Sequence, residues 1–364
     1  MKRKEGISLL VIGALMAAIL AAGAAGASTP GSQVDPLLSL EWIKNTFIPR
    51  TVTQAEEHMA QELSHPQSSV QELSREFRLK RGDVLTLETG SGLICLAGNL
   101  DANTSSGAVV DITTGTELEK GETSLTLNHR YLAAENTRAT FIVTSDTAVV
   151  RLTGPYQLTA SDQLDYNALA DALKTLGLFR GSDVPYGSGY ELENAPTRIQ
   201  GLIMFLRLIG EENAALTWPG GDYTFPDVPD WALAYVGYAY DKGYTKGYGV
   251  NEQNQVIFGT TDLLGAKDYM TFLLRALGYS EGTDFNWLTA IPDARTMGVL
   301  TDGEVALLAE KPFLRAQVVY LSYYALSARI AGGTTTLANR LVTAGIFKET
   351  TFASTEKALN SQRL

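Results

Sequence analysis

Hydrophobic positions change their period three times along this chain. Residues 7–25 form an unbroken apolar run. Between 28 and 77 the apolar residues are scattered. Trp42, Ile43, Phe47 and Ile48 make one short cluster able to dock, Thr53 and Glu56 have the spacing of a helix N-terminus, and polar residues dominate on both sides of Pro66. This pattern predicts a helical spacer. From 78 to 158 the period shortens to two. The runs 83–87, 108–112, 140–144 and 148–152 are rich in Val, Ile, Leu and Thr, and clusters such as Gly90-Ser91-Gly92 separate them. Several short strands at this spacing predict a small all-β sandwich or barrel. After 160 the period lengthens to that of amphipathic helices, and 14 of the 16 tyrosines lie there.

The helical part repeats itself. Leu169, Ala170, Leu173, Thr175, Gly177 and Phe179 recur in register as Leu337, Ala338, Leu341, Thr343, Gly345 and Phe347. Leu206-Arg207-Leu208-Ile209-Gly210 echoes Leu274-Arg275-Ala276-Leu277-Gly278. Gly177, Gly243, Gly298 and Gly345 each stand where an amphipathic helix needs a left-handed cap, at successive gaps of 66, 55 and 47 residues. Units of this size, each too small to bury its own apolar face, mark a repeat architecture. The expected fold is multidomain α+β: a small β domain at 78–158, then an all-α bundle of about three repeats at 160–350. The repeats fall at about 160–212, 223–280 and 283–328, with a closing helix at 336–347 and a tail at 351–364.

The repeat residues resemble a known family. Phe225-Pro226-Asp227-Val228-Pro229-Asp230-Trp231-Ala232, followed by Tyr235, Val236, Ala239 and Gly243-Tyr244-Thr245-Lys246-Gly247, resembles the opening half of an S-layer homology repeat. Pro196-Thr197-Arg198-Ile199-Gln200 resembles the closing half, whose helix opens Thr-Arg-Ala-Glu, and Leu314-Arg315-Ala316-Gln317 stands at the same place in the third unit. The resemblance implies three helical lobes in a prism that hold an exported protein on the Gram-positive cell wall by binding an acidic, pyruvate-bearing secondary polysaccharide. It also implies a polysaccharide site using Arg198, Arg315, Trp231 and Asp227. Such chemistry is sensible: a guanidinium forks onto a carboxylate, and an indole face covers the C–H side of a sugar. The sequence departs from the family where the box arginine of the second unit is replaced by Ala266, with Lys267 beside it as the available cation. The Phe-Pro-Asp-Val opening is absent from the first unit and reduced to Phe285-Asn286-Trp287 in the third.

Local rules leave other uses for these residues. Thr197 and Gln200 form a capping box whether or not a ligand is bound. Arg198, read as pointing outward, serves either sugar binding or surface pairing. Trp231, behind the natural cap Asp230, is either a sugar platform or an anchor packed between lobes. Tyr235 and Tyr238 share one helical face and belong to the core, whereas Tyr244 and Tyr248 flank a glycine turn and could meet a sugar.

Charge and targeting narrow the function. Lys2, Arg3 and Lys4 precede the apolar run, and Ala25 and Ala27 supply small residues for cleavage, so 1–27 reads as a secretory signal peptide; an uncleaved anchor at 7–25 is the alternative. A net charge of -11 argues against a nucleic-acid partner. Cys95 is the only cysteine and lies in an apolar run, which excludes an intrachain disulfide. His58, His65 and His129 lack metal-ligand spacing, and neither a phosphate-cradling glycine loop nor a Gly-x-Ser-x-Gly elbow occurs. No cofactor, metal or catalytic set is expected, and the chain reads as non-enzymatic. The leading expectation is an exported envelope protein attached non-covalently to wall polysaccharide. The alternative is a secreted or membrane-tethered adaptor whose repeats are only structural and whose β domain binds another protein.

Overall fold

The structure, a computed structural model, describes residues 74–118, 121–134, 136–221, 225–309, 312–359 and 363–364. The signal peptide or anchor and almost all of the 28–77 spacer lie outside these residues. One compact unit runs from Glu72 to Leu364. Its N-terminal part is all β and its remainder helical, as the change of hydrophobic period predicts.

Eleven strands build the β part: β1 Arg75–Lys80, β2 Val84–Glu88, β3 Gly92–Ala97, β4 Leu100–Ser106, β5 Val109–Asp111, β6 Thr116–Glu117, β7 Glu122–Ser124, β8 Arg130–Ala133, β9 Arg138–Val143, β10 Thr147–Thr153 and β11 Tyr156–Thr159. They form two antiparallel sheets, in the orders β1-β10-β3-β8-β5-β6 and β11-β2-β9-β4-β7. With β5, β6 and β11 set aside, the remaining eight strands have the connectivity of a jelly roll, in which sheet-to-sheet crossings protect most edges. Strand β1 begins at Arg75, so the β domain starts three residues inside the segment read as helical spacer. The charges at Arg75, Arg78 and Lys80 mask the alternation of Phe77 and Leu79 there.

Alternation is clean where one sheet face meets the other. Leu85 and Leu87 of β2 and Ala139, Phe141 and Val143 of β9 pack against Leu93 and Cys95 of β3 and Val150 and Leu152 of β10. Strand β10 breaks the rule because Thr147, Ala148, Val149 and Val150 are all buried. Its outer face is covered by the helical part, where the backbone at Gly187 lies against Val149.

Ten α-helices follow among the described residues: α1 Tyr166–Thr175, α2 Arg198–Leu208, α3 Glu212–Leu216, α4 Leu233–Asp241, α5 Ala266–Ala276, α6 Ala290–Thr296, α7 Asp302–Ala309, α8 Arg315–Ala325, α9 Leu337–Thr343 and α10 Glu349–Ala358. Gly177, Gly243, Gly298 and Gly345 follow α1, α4, α6 and α9 with φ of 77°, 72°, 72° and 74°, a region that glycine enters without steric penalty. Helices α2, α5 and α8 start alike: the side chain three residues beyond the cap reaches back to the cap N–H, through Gln200 to Thr197 (3.0 Å), Asp268 to Gly265 (3.2 Å) and Gln317 to Leu314 (2.9 Å).

These three helices converge. Phe205 of α2 meets Phe272 of α5 at a ring distance of 5.5 Å, and Tyr269 of α5 shares a 2.7 Å hydrogen bond with Ser322 of α8. Three of the four glycine-capped helices lean on a box helix. Helix α4 packs on α2, α6 on α5, and α1 closes the circle on α8. Every residue of α8 is buried, which marks it as the centre of the arrangement rather than an amphipathic cover.

The β and helical parts share a polar contact. The Arg78 guanidinium forks onto Asp171 of α1 at 2.9 and 2.8 Å, and Asp171 also accepts from Tyr190 at 2.6 Å. Gln317 of α8 donates to Asp146 at 2.7 Å, and the Gly187 N–H donates to Glu76 at 2.7 Å. Within the segment read as a tail, residues 351–358 continue a helix, and Arg363 and Leu364 are also described. Helix α10 packs on α1, and Arg363 forks onto the fully buried Glu304 at 2.7 and 2.8 Å.

Candidate functional site

The start of α2 is built by pairing rather than by hydrophobicity alone. Leu264 N–H donates to Pro196 O and Arg198 N–H donates to Asp262 O, both near 2.9 Å, which presses the first turn of α2 onto the loop before α5. Gly201 completes the approach, since a Cβ there would collide with the Leu264 side chain. The Arg198 side chain is therefore directed inward. It is 5% exposed, a correction to the outward placement read from the capping box.

Three rings surround the Arg198 guanidinium: Tyr248 at 4.7 Å, Phe272 at 5.2 Å and Phe258 at 5.3 Å. Asp268 forms an ion pair with Nη1 at 3.4 Å, but neither Nε nor Nη1 makes a hydrogen bond of good geometry. Burial pushes the Arg198 pKa down, against the opposing pull of Asp268 and Tyr248. It nonetheless remains a cation, because a guanidinium starts far above neutrality.

This arginine borders a cavity of about 190 Å³ that also touches Tyr248, Asp268, Trp287, Lys246 and Glu281. Asp268 accepts from the Trp287 indole at 2.9 Å, fixing the ring. The other side of that indole faces Lys267, whose ammonium lies 3.9 Å from the ring centre. Glu281 accepts from Arg275 at 2.6 Å and Lys246 at 3.0 Å. Burial pushes the Glu281 carboxyl up, but these two bonds outweigh it and hold the pKa below its ordinary value. Three rings (Tyr248, Phe272 and Trp287), two guanidinium groups (Arg198 and Arg275), an ammonium and two carboxylates around one small cavity suit a hydroxylated ligand bearing a negative charge.

The structure gathers only part of the sequence-derived set. Arg198 lines the cavity; Lys267 does not, and touches only the Trp287 ring that does. Trp231, weighed as a buried anchor or a sugar platform, is 61% exposed in the single turn Asp230–Ala232 and lies outside this cavity. Asp227 is occupied elsewhere. Its carboxylate accepts the backbone N–H groups of Phe258 (2.8 Å), Gly259 (2.7 Å) and Thr260 (3.0 Å), so it shapes the loop instead of meeting a ligand. Burial raises the Asp227 pKa and these three donors more than reverse it, leaving it lowered.

Arg315 occupies the place equivalent to Arg198, but its surroundings differ. Its N–H donates to Asn194 O and its Nε to Tyr190 O at 3.0 Å, with Glu191 at 3.9 Å. Arg315 is buried and spent on holding segment 190–194. Of the tyrosines expected in the core, Tyr238 is buried and Tyr235 half-buried; Tyr244 is half-buried and donates to Glu211, whereas Tyr248 is exposed. Trp287, Asp268, Lys246 and Glu281 were not singled out as site residues from the sequence. Asp268 carried a usable signal: it holds the position in α5 that Gln200 and Gln317 hold in α2 and α8.

Cys95 is fully buried and its thiol is pushed up to about 12, chiefly by burial. His129 is held by Asp111 at 2.7 Å. Among the described residues no cluster of His, Cys, Asp or Glu could hold a metal ion, and no helix is long and apolar enough to cross a membrane.

No family model matches the chain, and no curated protein matches it. Solved structures with local similarity include recombinant pumpkin pro-11S globulin, at 11% identity over 28% of each chain with a TM-score of 0.17. Procruciferin, the 11S globulin of Brassica napus, matches at 9% identity over 28% of this chain and 27% of its own, also with a TM-score of 0.17. The chain thus spans less than a third of these structures.

Proposed function

We propose that this chain is an exported, non-catalytic cell-envelope protein that attaches to an acidic wall polysaccharide through its helical repeats. The reading rests on one observation above all. Arg198 is buried beside a cavity with two guanidinium nitrogens making no hydrogen bond, an arrangement that costs stability unless a ligand uses the charge. Trp287 and Tyr248 offer ring faces for the sugar, and Lys246 adds a second cation at the opening. The basic, then apolar, then small-residue order of 1–27 supports export.

The purified chain is mixed with cell-wall sacculi that retain their secondary polymer and with sacculi stripped of it. Pelleting with the first alone, reduced at least tenfold by Arg198→Ala, is the expected result. Equal behaviour of wild type and Arg198→Ala would end the anchoring proposal.

A second reading has its own support. Arg315 is consumed inside the fold and the equivalent position of the second unit is Ala266, so one of three related places leaves guanidinium nitrogens without a hydrogen bond. That favours an adaptor whose repeats serve as a platform while the sandwich binds a protein. Cross-linking on intact cells, with recovery of a protein partner and release by mild salt, would favour the adaptor.

A further inference from the structure

A second cavity, of about 360 Å³, lies where the sandwich meets the helical part. The β3–β4 turn and the β9–β10 turn form one wall, and Tyr186, Glu193, Asn194 and Leu314 form the other. We propose that this cleft binds a small hydroxylated primary amine, of the amino-sugar class, with its ammonium at Glu193.

Charge selects the sign of the ligand. Two carboxylates face the cleft, Asp146 and Glu193. Asp146 is already engaged, with Arg81 at 2.7 Å on one oxygen and Gln317 at 2.7 Å on the other. Glu193 has no ion pair within 4 Å among the described residues, and the nearby Arg315 is committed to Tyr190 and Glu191. Burial holds the Glu193 carboxyl above its ordinary value, with Glu191 adding to the effect and its own backbone N–H, Thr147 and Arg315 only partly opposing it. An ammonium would supply the missing partner, whereas an anion would be repelled.

Polarity and size select the rest of the ligand. Thr147 is 1% exposed and borders the cleft, and its hydroxyl leans on the Glu193 carboxylate without reaching good hydrogen-bond geometry. A buried hydroxyl in that state gains from a second polar group entering beside it. Leu127 and Leu314 supply an apolar side for ring C–H groups, and Tyr186 a flat one. The volume lies at the small end of ligand pockets, which suits one sugar ring and not a chain. This site takes the opposite charge from the Arg198 cavity and shares no residue with it.

Calorimetry on the full chain with D-glucosamine, D-glucose and N-acetyl-D-glucosamine tests the proposal. Glucosamine should bind saturably, in about the millimolar range expected of a ligand with so few anchors. The two uncharged sugars should bind at least about tenfold more weakly, because they cannot pair with Glu193. Glu193→Gln should lose about tenfold or more in glucosamine affinity, and Arg198→Ala should keep it. Leu127→Trp, which fills the cleft from its exposed rim, should abolish binding and serves equally if the glutamine variant folds poorly. Absence of saturable glucosamine binding, equal affinity for glucose, or a Leu127→Trp protein that binds as wild type does would overturn it. None of these results bears on sacculus pelleting, so the two proposals fail separately.

Discussion

Removing the Asp227 carboxylate should destabilise the fold rather than weaken ligand binding directly. In the structure its two oxygens accept three consecutive backbone N–H groups, at 2.8, 2.7 and 3.0 Å, and so pin the 258–260 loop. Bonds to a charged acceptor contribute about 1.5–3 kcal/mol each when buried. Asp227 is half-buried, and water can reach part of the freed loop, so the Asp227→Ala cost is about 2–3 kcal/mol in total. For a cooperative unit of this size that lowers Tm by about 3–5 °C. Asp227→Asn should not rescue it, because in either amide orientation an NH₂ group faces a backbone N–H. The pH dependence has a definite sign. A carboxyl whose folded pKa is depressed contributes stability above its unfolded value of about 3.9, and the contribution is lost as pH falls through the folded value. Wild type and Asp227→Ala should therefore differ most near neutrality and converge in acid. Thermal and urea unfolding followed by circular dichroism between pH 2 and 7 measures this. An Asp227→Ala protein with the wild-type Tm at pH 7, or a difference that grows in acid, would refute the reasoning.

Other variants probe separate features. Arg315→Ala should lose about 2–3 kcal/mol in denaturant unfolding by freeing Tyr190 O and leaving Glu191 unpaired, and Arg315→Lys should recover less than half. Gly177→Ala should lose about 1 kcal/mol from its positive φ alone, since nothing crowds a Cβ there, and Gly177→Asn should be milder. Cys95 should resist iodoacetamide at pH 8 in the native protein and react fully in guanidinium; rapid native labelling would show that the thiol is accessible. Asp171→Asn breaks the fork to Arg78 and the bond from Tyr190, and limited proteolysis should then cut between sandwich and helices at a lower enzyme dose.

The sandwich was legible wherever a strand has one wet face. Strands β2 and β9 follow the period-two runs because their inner side chains alone are buried. Strand β10 is buried on both faces near Val149, a consequence of tertiary cover that no local period encodes. The glycine caps were legible because a left-handed residue is a backbone demand, independent of what packs around it. Residue roles at the site were not. A capping box fixes where α2 starts, but the inward turn of Arg198 comes from pairing between 196–198 and 262–264, segments far apart in sequence. Asp227 shows the same limit: its motif announces a fixed loop, and nothing local says whether the carboxylate serves backbone or ligand. Helix α10 escaped notice because its inward positions, Phe352 and Thr355, are too few and too mixed to outline an apolar stripe.

Helix α8 supplies the innermost surface of the helical part, yet it is specified late, at Arg315–Ala325. Its partners α1 and α2 are specified more than a hundred residues earlier. A chain delivered from its N-terminus would hold those apolar faces open until the last box helix arrives, long after the sandwich has all its strands. Assembly order and sequence order therefore conflict in the helical half. The waiting segments are where a holding chaperone or a protease would find its opportunity.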